Sequence, residues 1–129
     1  MGYPMREVQI PDMHLNTPTK VLLEHVRVNS ALPLPWITEL PPHDKIAILV
    51  GGGPSLAEKV DEIRWRQNAG GIVFAQNGAA KFLSARGVIP DYQVIVDGRE
   101  ATESLICFTA HEYLFSSQVH PNLVTTAAS

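Results

Sequence analysis

The chain has little of what a disulfide framework, a membrane span or a nucleic-acid interface requires. It contains one cysteine, so no disulfide can form within it. No apolar run approaches the roughly 18 residues of a membrane-spanning helix, and residues 1–10 lack the apolar centre of a signal peptide. The net charge is −3 and no basic stripe is present, which gives nucleic-acid binding little support. We therefore expect a cytoplasmic protein with neither a membrane nor a nucleic acid as its partner.

What the chain does have is enough apolar sequence for one folded domain. Hydrophobic residues make up 45% of it and charged residues 18%, so it can bury a core. We divide it into residues 1–44, which form an arm, a helix and a proline-rich linker, and residues 45–129, which form an α/β unit. The arm, residues 1–15, lacks periodicity. We expect it to pack on another surface, either the last edge of the sheet or a second subunit of a homo-oligomer.

Residues 16–30 have a helical pattern. Asn16 or Thr17 can cap this helix, and Pro18 suits its first helical position. One face is formed at helical spacing by Val21, Leu22, His25 and Val28. On that face, His25 is predicted to be a packed histidine rather than a metal ligand.

Residues 31–44 are predicted to be a linker or a wrapping loop. They contain four prolines, which lack the amide donor and disfavour helix before them. Three apolar side chains are expected to pin this linker to the body of the protein, namely Trp36, Ile37 and Leu40.

From Lys45 onward the pattern alternates between strand and helix. The predicted strands are Lys45–Val50, Gly71–Ala75, Tyr92–Val96 and Glu112–Ser117. The predicted helices run from Pro54 or Ser55 to Asn68, over Gly78–Arg86 and over Glu100–Ala110, with another helix start at residues 120–122. This order favours an α/β fold with a mostly parallel sheet and right-handed crossovers. Because the sequence stops as a fifth unit would begin, we expect a small or truncated domain.

The loop between the first strand and the first helix of this unit is rich in glycine. The apolar run that ends at Val50 is followed by Gly51, Gly52, Gly53, Pro54 and Ser55. Glycine lets a phosphate approach the backbone, and the first amides of a helix attract anions. This pattern predicts a phosphate or nucleotide cradle, although glycine can also serve turn geometry alone. Neither the dinucleotide fingerprint nor the P-loop pattern is complete, so a standard dehydrogenase or P-loop kinase is not expected.

Polar or glycine residues follow each predicted strand. These four strand tips are Gly51–Ser55, Gln76–Gly78, Asp97–Arg99 and Gln118–His120. In parallel sheets ligands bind beyond the carboxyl ends of the strands, near a switch in strand order. We therefore expect the four tips to converge on one crevice.

Several side chains at these tips have both a functional and a structural interpretation. Asp97 can hold Mg²⁺ against phosphates or cap a turn. Asn77 can contact a base or ribose or form a turn, and Arg99 can bind a phosphate or lie in solvent. His120 can act as an acid or base, but no partner is identifiable. Cys107 is expected in the core, within an apolar helix, and neither zinc spacing nor a serine-hydrolase elbow is present.

Three segments together resemble a known family. They are Val50-Gly51-Gly52-Gly53-Pro54-Ser55-Leu56, Ala75-Gln76-Asn77-Gly78-Ala79, and Gly87-Val88-Ile89-Pro90-Asp91-Tyr92 with Val96-Asp97. In this order and spacing, over about residues 45–121, they resemble the 6-hydroxymethylpterin diphosphokinase (MptE-like) family, whose domain is shared with the flagellar motility accessory factors. The glycine turn is also similar to that of sialyltransferases that use CMP-sialic acid.

The resemblance implies a Rossmann-like three-layer domain that uses ATP and Mg²⁺ to pass a diphosphate to a pterin alcohol and release AMP. By position, the loop from Gly51 to Ser55 would contact phosphates, Asn77 and Gly78 would contact the nucleotide, and Asp97 would be the catalytic metal ligand. The leading hypothesis is this diphosphotransferase, acting on a nucleotide and a small-molecule acceptor. The alternatives are a glycosyltransferase-type domain that uses a CMP-activated sugar and a non-catalytic binding or assembly module.

Overall fold

A computed structural model of the chain describes residues 16–128, so the predicted arm at residues 1–15 lies outside the described part. The helices are α1 (Thr19–Ser30), α2 (Leu56–Asn68), α3 (Ala79–Ser84) and α4 (Pro121–Ala127), with a 3-10 helix at Glu100–Leu105. The strands are β1 (Ala47–Val50), β2 (Ile72–Gln76), β3 (Tyr92–Ile95) and β4 (Glu112–Phe115).

The four strands form one parallel sheet in the order β1-β2-β3-β4. This confirms the α/β class and the parallel sheet, and the arrangement is consistent with a Rossmann-like fold in which the described residues form the sheet and the helix layer on one of its faces. Because the strand order follows the chain order, this sheet has no reversal between its described strands. Within residues 16–128, no switch in strand order therefore marks a crevice at the carboxyl ends of the strands.

The core lies on one face of the sheet, which we call the covered face. Strand register places Val50, Ala75 and Gln93 in one row across it. Helices α2 and α3 pack on its β1–β2 half, and α4 packs on its β3–β4 half with Ile95. Tyr113 contacts both halves of the core.

The opposite face, which we call the open face, is apolar as well. Its residues alternate with those of the covered face, and one row joins Leu49, Phe74 and Tyr92. Leu49 is 79% exposed. None of these three side chains belongs to either core cluster of the described residues.

Two turns end their helices as the sequence predicts. Gly70 has φ +104° after α2 and Gly87 has φ +81° after α3, a left-handed conformation that glycine adopts without steric cost. His25 is buried, and its Nδ1 lies 3.0 Å from the Gln118 carbonyl oxygen, so its prediction as a packed histidine is confirmed.

The predicted helix caps are wrong. Pro18 occupies the N-cap position of α1 itself, and the Asn16 and Thr17 side chains bond elsewhere. Ser55 is the N-cap residue of α2 but makes no side-chain capping bond, while the Gly53 carbonyl accepts from the Leu56 amide. Proline has no side-chain acceptor, so α1 begins without a capping bond.

The predicted helix at Glu100–Ala110 is a 3-10 helix that ends at Leu105. Within it, the Thr102 hydroxyl donates to the Arg99 carbonyl at 2.7 Å, which competes with regular helical bonding. Beyond it, the Cys107 amide donates to the buried Gln93 side chain at 2.8 Å, which draws the chain into the core. Cys107 is therefore buried as expected, but it lies in a loop and not in a helix.

The three side chains predicted to hold the linker on the body do not do so, although Leu32 at its start packs against the core. Trp36, Ile37 and Leu40 are exposed, with Ile37 at 77%. Four prolines remove amide donors from this segment, so it cannot join the sheet by regular backbone pairing. Within residues 16–128, no helix has the length and apolar character needed to cross a bilayer.

Candidate functional site

A cavity of about 500 Å³ opens between the tips of β1 and β2. The glycine loop forms one wall and the β2 tip forms the other. The complete lining consists of Gly52, Gly53, Pro54, Leu56, Ala57, Gln76, Asn77, Gly78, Ala79 and Phe82. None of these residues carries a charge. The structure therefore brings together two of the four predicted strand tips and most of the predicted nucleotide-binding residues.

The glycine loop leaves open space on its outer surface. A Cβ atom built on Gly51, Gly52 or Gly53 would meet no described atom within 4 Å. The loop leads into a helix of 13 residues whose N-cap side chain makes no capping bond. This helix start presents the positive end of its dipole at the loop, where an anion is stabilised.

Asn77 is held in an unusual conformation at the cavity wall. Its φ is +51°, and no other non-glycine residue among those described has a positive φ. Its amide donates to the Val94 carbonyl at 3.1 Å, and its carbonyl accepts from Gln93 Nε2 at 3.0 Å. Among the described atoms, its buried Oδ1 has no hydrogen-bond partner. Asn29 Oδ1 on α1 is unpartnered as well, but only Asn77 lines this cavity, so its unpaired acceptor makes Asn77 a candidate for ligand recognition.

Gln93 is a residue that the sequence analysis missed. It is fully buried in β3, and its Nε2 also donates to the Leu105 carbonyl at 2.7 Å. Its Oε1 accepts from the Cys107 amide. One side chain thus fixes both the β2 tip and the segment after the 3-10 helix. The available signal was a polar residue at a core-facing position of a strand, two residues before Ile95.

Asp97 does not line the cavity between the β1 and β2 tips. Its carboxylate forms a bidentate ion pair with Arg99, whose Nε donates to Oδ1 at 3.1 Å and whose Nη2 donates to Oδ2. Hydrogen bonds from the Arg99 side chain are the largest cause of a lowered pKa of Asp97, and the Arg99 backbone amide adds to them. Asp97 is therefore ionised at neutral pH and paired, and the Arg99 guanidinium is held by Asp97 rather than free in solvent.

Gly51 and Ser55 do not line the cavity between the β1 and β2 tips, which Gly53 lines, but a second cavity. This smaller cavity, of about 270 Å³, lies at the β1 edge beside the α2 side chains Lys59 and Arg66. The glycine loop therefore separates two cavities, and the predicted phosphate contacts are divided between them.

Helix α1 covers the tips of β3 and β4. The Asn29 side chain donates to the Ser117 carbonyl at 3.0 Å and to the Val119 carbonyl at 2.8 Å. Leu22 packs so closely on Gly98 that no side chain would fit there. The four tips therefore do not share one crevice, because only the β1–β2 half stays open.

His120 has a structural role at the fourth tip. Its Nδ1 accepts from the Asn122 amide at 3.1 Å and so caps α4. Its Nε2 lies 4.0 Å from Glu100 Oε2. With one nitrogen committed to the cap, His120 gains no support as a general acid or base.

The donor groups available to a metal ion are few. Within residues 16–128, no group of three His, Cys, Asp or Glu side chains converges on one point. Mg²⁺ in nucleotide sites commonly takes only one or two carboxylates and completes its shell with phosphates and water. Asp97 is ionised, so it could serve as the single carboxylate ligand of Mg²⁺ once one of its oxygens is released from the ion pair with Arg99.

Comparison with known proteins identifies the family. The family model described as 6-hydroxymethylpterin diphosphokinase MptE-like matches residues 24–128. A search of curated proteins and a search of solved structures each gave no match. The family match covers more than half of the chain, including α1 from Glu24 onward, the linker, the glycine loop and all four strands. The chain therefore belongs to the 6-hydroxymethylpterin diphosphokinase MptE-like family.

Proposed function

We propose that this chain is a nucleotide-binding domain whose site is the cavity between the β1 and β2 tips. Phosphate groups lie against Gly52, Gly53 and the start of α2, where open space and the helix dipole favour an anion. Asn77 recognises the base or ribose. The observation that carries the proposal is the unpartnered Asn77 Oδ1, a buried acceptor in the wall of an uncharged and glycine-rich cavity.

The proposed reaction is a Mg²⁺-dependent transfer of diphosphate from ATP to the hydroxyl of a small acceptor such as a pterin alcohol. The bond between the β-phosphorus of ATP and the oxygen that bridges its α- and β-phosphates is broken, AMP leaves with that oxygen, and the acceptor oxygen bonds to the β-phosphorus and loses its proton. Family membership supports this reaction class. Because the ten lining residues are uncharged, the chain itself offsets little of the phosphate charge. Mg²⁺ would supply that neutralisation when bound, with Asp97 as its protein ligand.

In this proposal the chain contributes mainly positioning. The glycine loop and α2 orient the phosphates, and Gln93 holds Asn77 in place through its carbonyl. Arg99, displaced from Asp97, pairs with a phosphate oxygen, since its guanidinium binds both carboxylates and phosphates. Phosphoryl transfer depends on such positioning and charge neutralisation more than on covalent chemistry.

Thermal unfolding with ATP, CTP and CMP, each with and without Mg²⁺, tests the proposal. A nucleotide at about 100 times its Kd should raise the free energy of unfolding by about 2.7 kcal/mol. ATP is expected to act best with Mg²⁺, and Asp97→Asn should remove only the Mg²⁺-dependent part. If no nucleotide raises the stability, the chain is a non-catalytic binding or assembly module and the proposal is wrong.

A matched pair of variants ties the effect to the cavity. Gly53→Val should fold normally, because the space around Gly53 is open, but its added methyl groups should block the cavity and abolish nucleotide stabilisation. Ala85→Val adds the same groups at the exposed end of α3 and should leave the nucleotide effect unchanged.

One observation favours a CMP-activated sugar as a second candidate. A cavity with no charged lining residue suits the single phosphate of CMP better than the triphosphate of ATP. In that case CMP should stabilise the chain without Mg²⁺, and Asp97→Asn should have no effect on its binding.

A further inference from the structure

The open face of the sheet lacks the cover that parallel sheets have. Parallel sheets occur almost only with both faces covered, because their strands are apolar on both sides. Here α2, α3 and α4 cover one face, whereas on the other Leu49 is 79% exposed and Val96 is 50% exposed. Phe74 and Tyr92 stack on that face with ring centroids 4.9 Å apart. In the described residues this apolar face has no partner.

We propose that residues 1–15 of this chain cover the open face. The described chain starts at Asn16, whose side chain donates to the Asp97 carboxylate at 3.4 Å, beside the carboxyl end of β3. The preceding segment is therefore joined to the described chain beside β3, which is an inner strand of the sheet. Fifteen extended residues reach at most roughly 50 Å, and four strands span roughly 20 Å, so this segment is long enough to cross the whole face.

The composition of the segment matches the surface. The open face is mostly apolar, apart from Glu112, which shares a row with Tyr92, and Gln76. Residues 1–15 contain only three residues with a full charge, Arg6, Glu7 and Asp12. Their apolar residues are Met1, Tyr3, Met5, Val8, Ile10, Met13 and Leu15. Val8 and Ile10 are two residues apart, the spacing that places side chains on one side of an extended chain.

The size of the face favours this segment over a second copy. Ordinary strand spacing and rise give four short strands an area of about 300 Å². A stable interface between two proteins buries about 800 Å² on each partner. The open face alone is too small for that, whereas a tethered segment needs no such area because its ends are already close.

Photocrosslinking tests which segment covers the open face of the sheet. A benzophenone amino acid replaces Leu49 or Val96, whose exposure means that the substitution removes little core packing. The same probe replaces Trp65 on α2 as a control, since Trp65 is equally exposed on the other side of the sheet. Each variant is irradiated as a mixture of chains with and without ¹⁵N, and the crosslinked peptides are analysed by mass spectrometry.

Crosslinks from Leu49 and Val96 to residues 1–15 of the same chain, with none from Trp65, are the expected result. Crosslinks between labelled and unlabelled chains would assign the face to a second copy and overturn the proposal. The absence of any crosslink to residues 1–15 would overturn it too.

A second measurement does not depend on the probe. The double variant Val8→Asp with Ile10→Asp should release the segment and raise the fluorescence of a dye that binds exposed apolar surface. Gln9→Asp adds one charge between them and should leave dye binding unchanged. Equal dye binding by the double variant and the unchanged chain would contradict the proposal, and neither result depends on nucleotide binding.

Discussion

At the scale of single residues, Asn77 lowers the stability of the folded state at the candidate site. It has a left-handed backbone, φ +51°, and a buried acceptor without a described partner. Asparagine tolerates this conformation better than most residues, but glycine adopts it at no steric cost. A chain selected only for stability would therefore favour glycine here.

We expect Asn77→Gly to stabilise the nucleotide-free protein by about 1 kcal/mol and to weaken nucleotide binding, because it removes both the strain and the recognition group. Urea unfolding gives the first quantity and thermal unfolding with nucleotide the second. Asn68→Gly, at the exposed end of α2, is the control and should change neither nucleotide binding nor the cavity. A lower stability for Asn77→Gly would mean that Asn77 has a structural role.

The Asp97–Arg99 ion pair predicts a pH dependence. The lowered pKa of Asp97 means that its carboxylate stabilises the folded state above the ordinary aspartate pKa of about 4 and that this contribution is lost as the pH falls through the lowered value. We expect Asp97→Asn to cost about 1 kcal/mol at pH 7, since Arg99 is 58% exposed and solvent weakens the pair. The cost should shrink below about pH 4.

Urea unfolding of both proteins between pH 7 and pH 3 measures this difference. Asp61→Asn is the matched control, because Asp61 also pairs with an arginine, Arg64, but its side chain is 97% exposed. Its effect should be small at every pH. A constant difference between Asp97→Asn and the unchanged chain over this range would contradict the assignment.

At the scale of elements, helix α1 decides which strand tips stay accessible. It docks through Asn29 and His25 on the segment that follows β4, and through Leu22 on Gly98. The contact between Leu22 and Gly98 is close because glycine has no side chain. This docking closes the β3–β4 half of the sheet end and leaves open the cavity between the β1 and β2 tips.

We expect Gly98→Ala to loosen α1, because its new methyl group would overlap Leu22 and lie 3.1 Å from the Gln118 carbonyl oxygen. The free energy of unfolding should fall by about 1–3 kcal/mol, the usual cost of overpacking. Amide hydrogen exchange should become faster in α1 before it does so in the sheet.

Adding Leu22→Ala to Gly98→Ala should restore part of the slow exchange, since it removes the overlap with Leu22 but not the contact with Gln118. Leu22→Ala alone is the control. If the amide hydrogens of α1 exchange as fast in the double variant as in Gly98→Ala, the overlap between Leu22 and the new methyl group is not what loosens α1.

At the scale of the whole molecule, the linker between α1 and β1 presents apolar side chains to solvent. Trp36 is 62% exposed, and Ile37 and Leu40 are exposed near it. An exposed cluster of large apolar residues is typical of an interaction surface. We propose that the linker is where two copies of this chain associate.

This proposal predicts that the sedimentation-equilibrium mass rises with concentration and that acrylamide quenching of Trp36 falls in parallel. Trp65 is an internal control, since it is 68% exposed and lies on α2. Trp36→Phe and Trp65→Phe each leave one tryptophan for the measurement, and Ile37→Glu should keep the chain monomeric. A monomer at every concentration would contradict self-association.

The sequence by itself determined the order of strands and helices, the parallel sheet and the position of the glycine loop. These follow from local signals, namely apolar periodicity, glycine turns and strands separated by helices of crossover length. The packed state of His25 could also be predicted, because it lies on the apolar stripe of a helix. The prediction was less successful at helix caps and at Glu100–Leu105, where a side chain chooses between local backbone groups of similar energy.

Only the tertiary structure decided which groups meet at the ends of the strands. Gln93 bonds to Asn77 across 16 residues and Asn16 to Asp97 across 81, and no spacing along the chain shows either contact. The cover of α1 over two strand tips likewise depends on packing between distant segments. A local pattern can place a polar residue at a strand end, but its partner is set by the free energy of the whole packed arrangement.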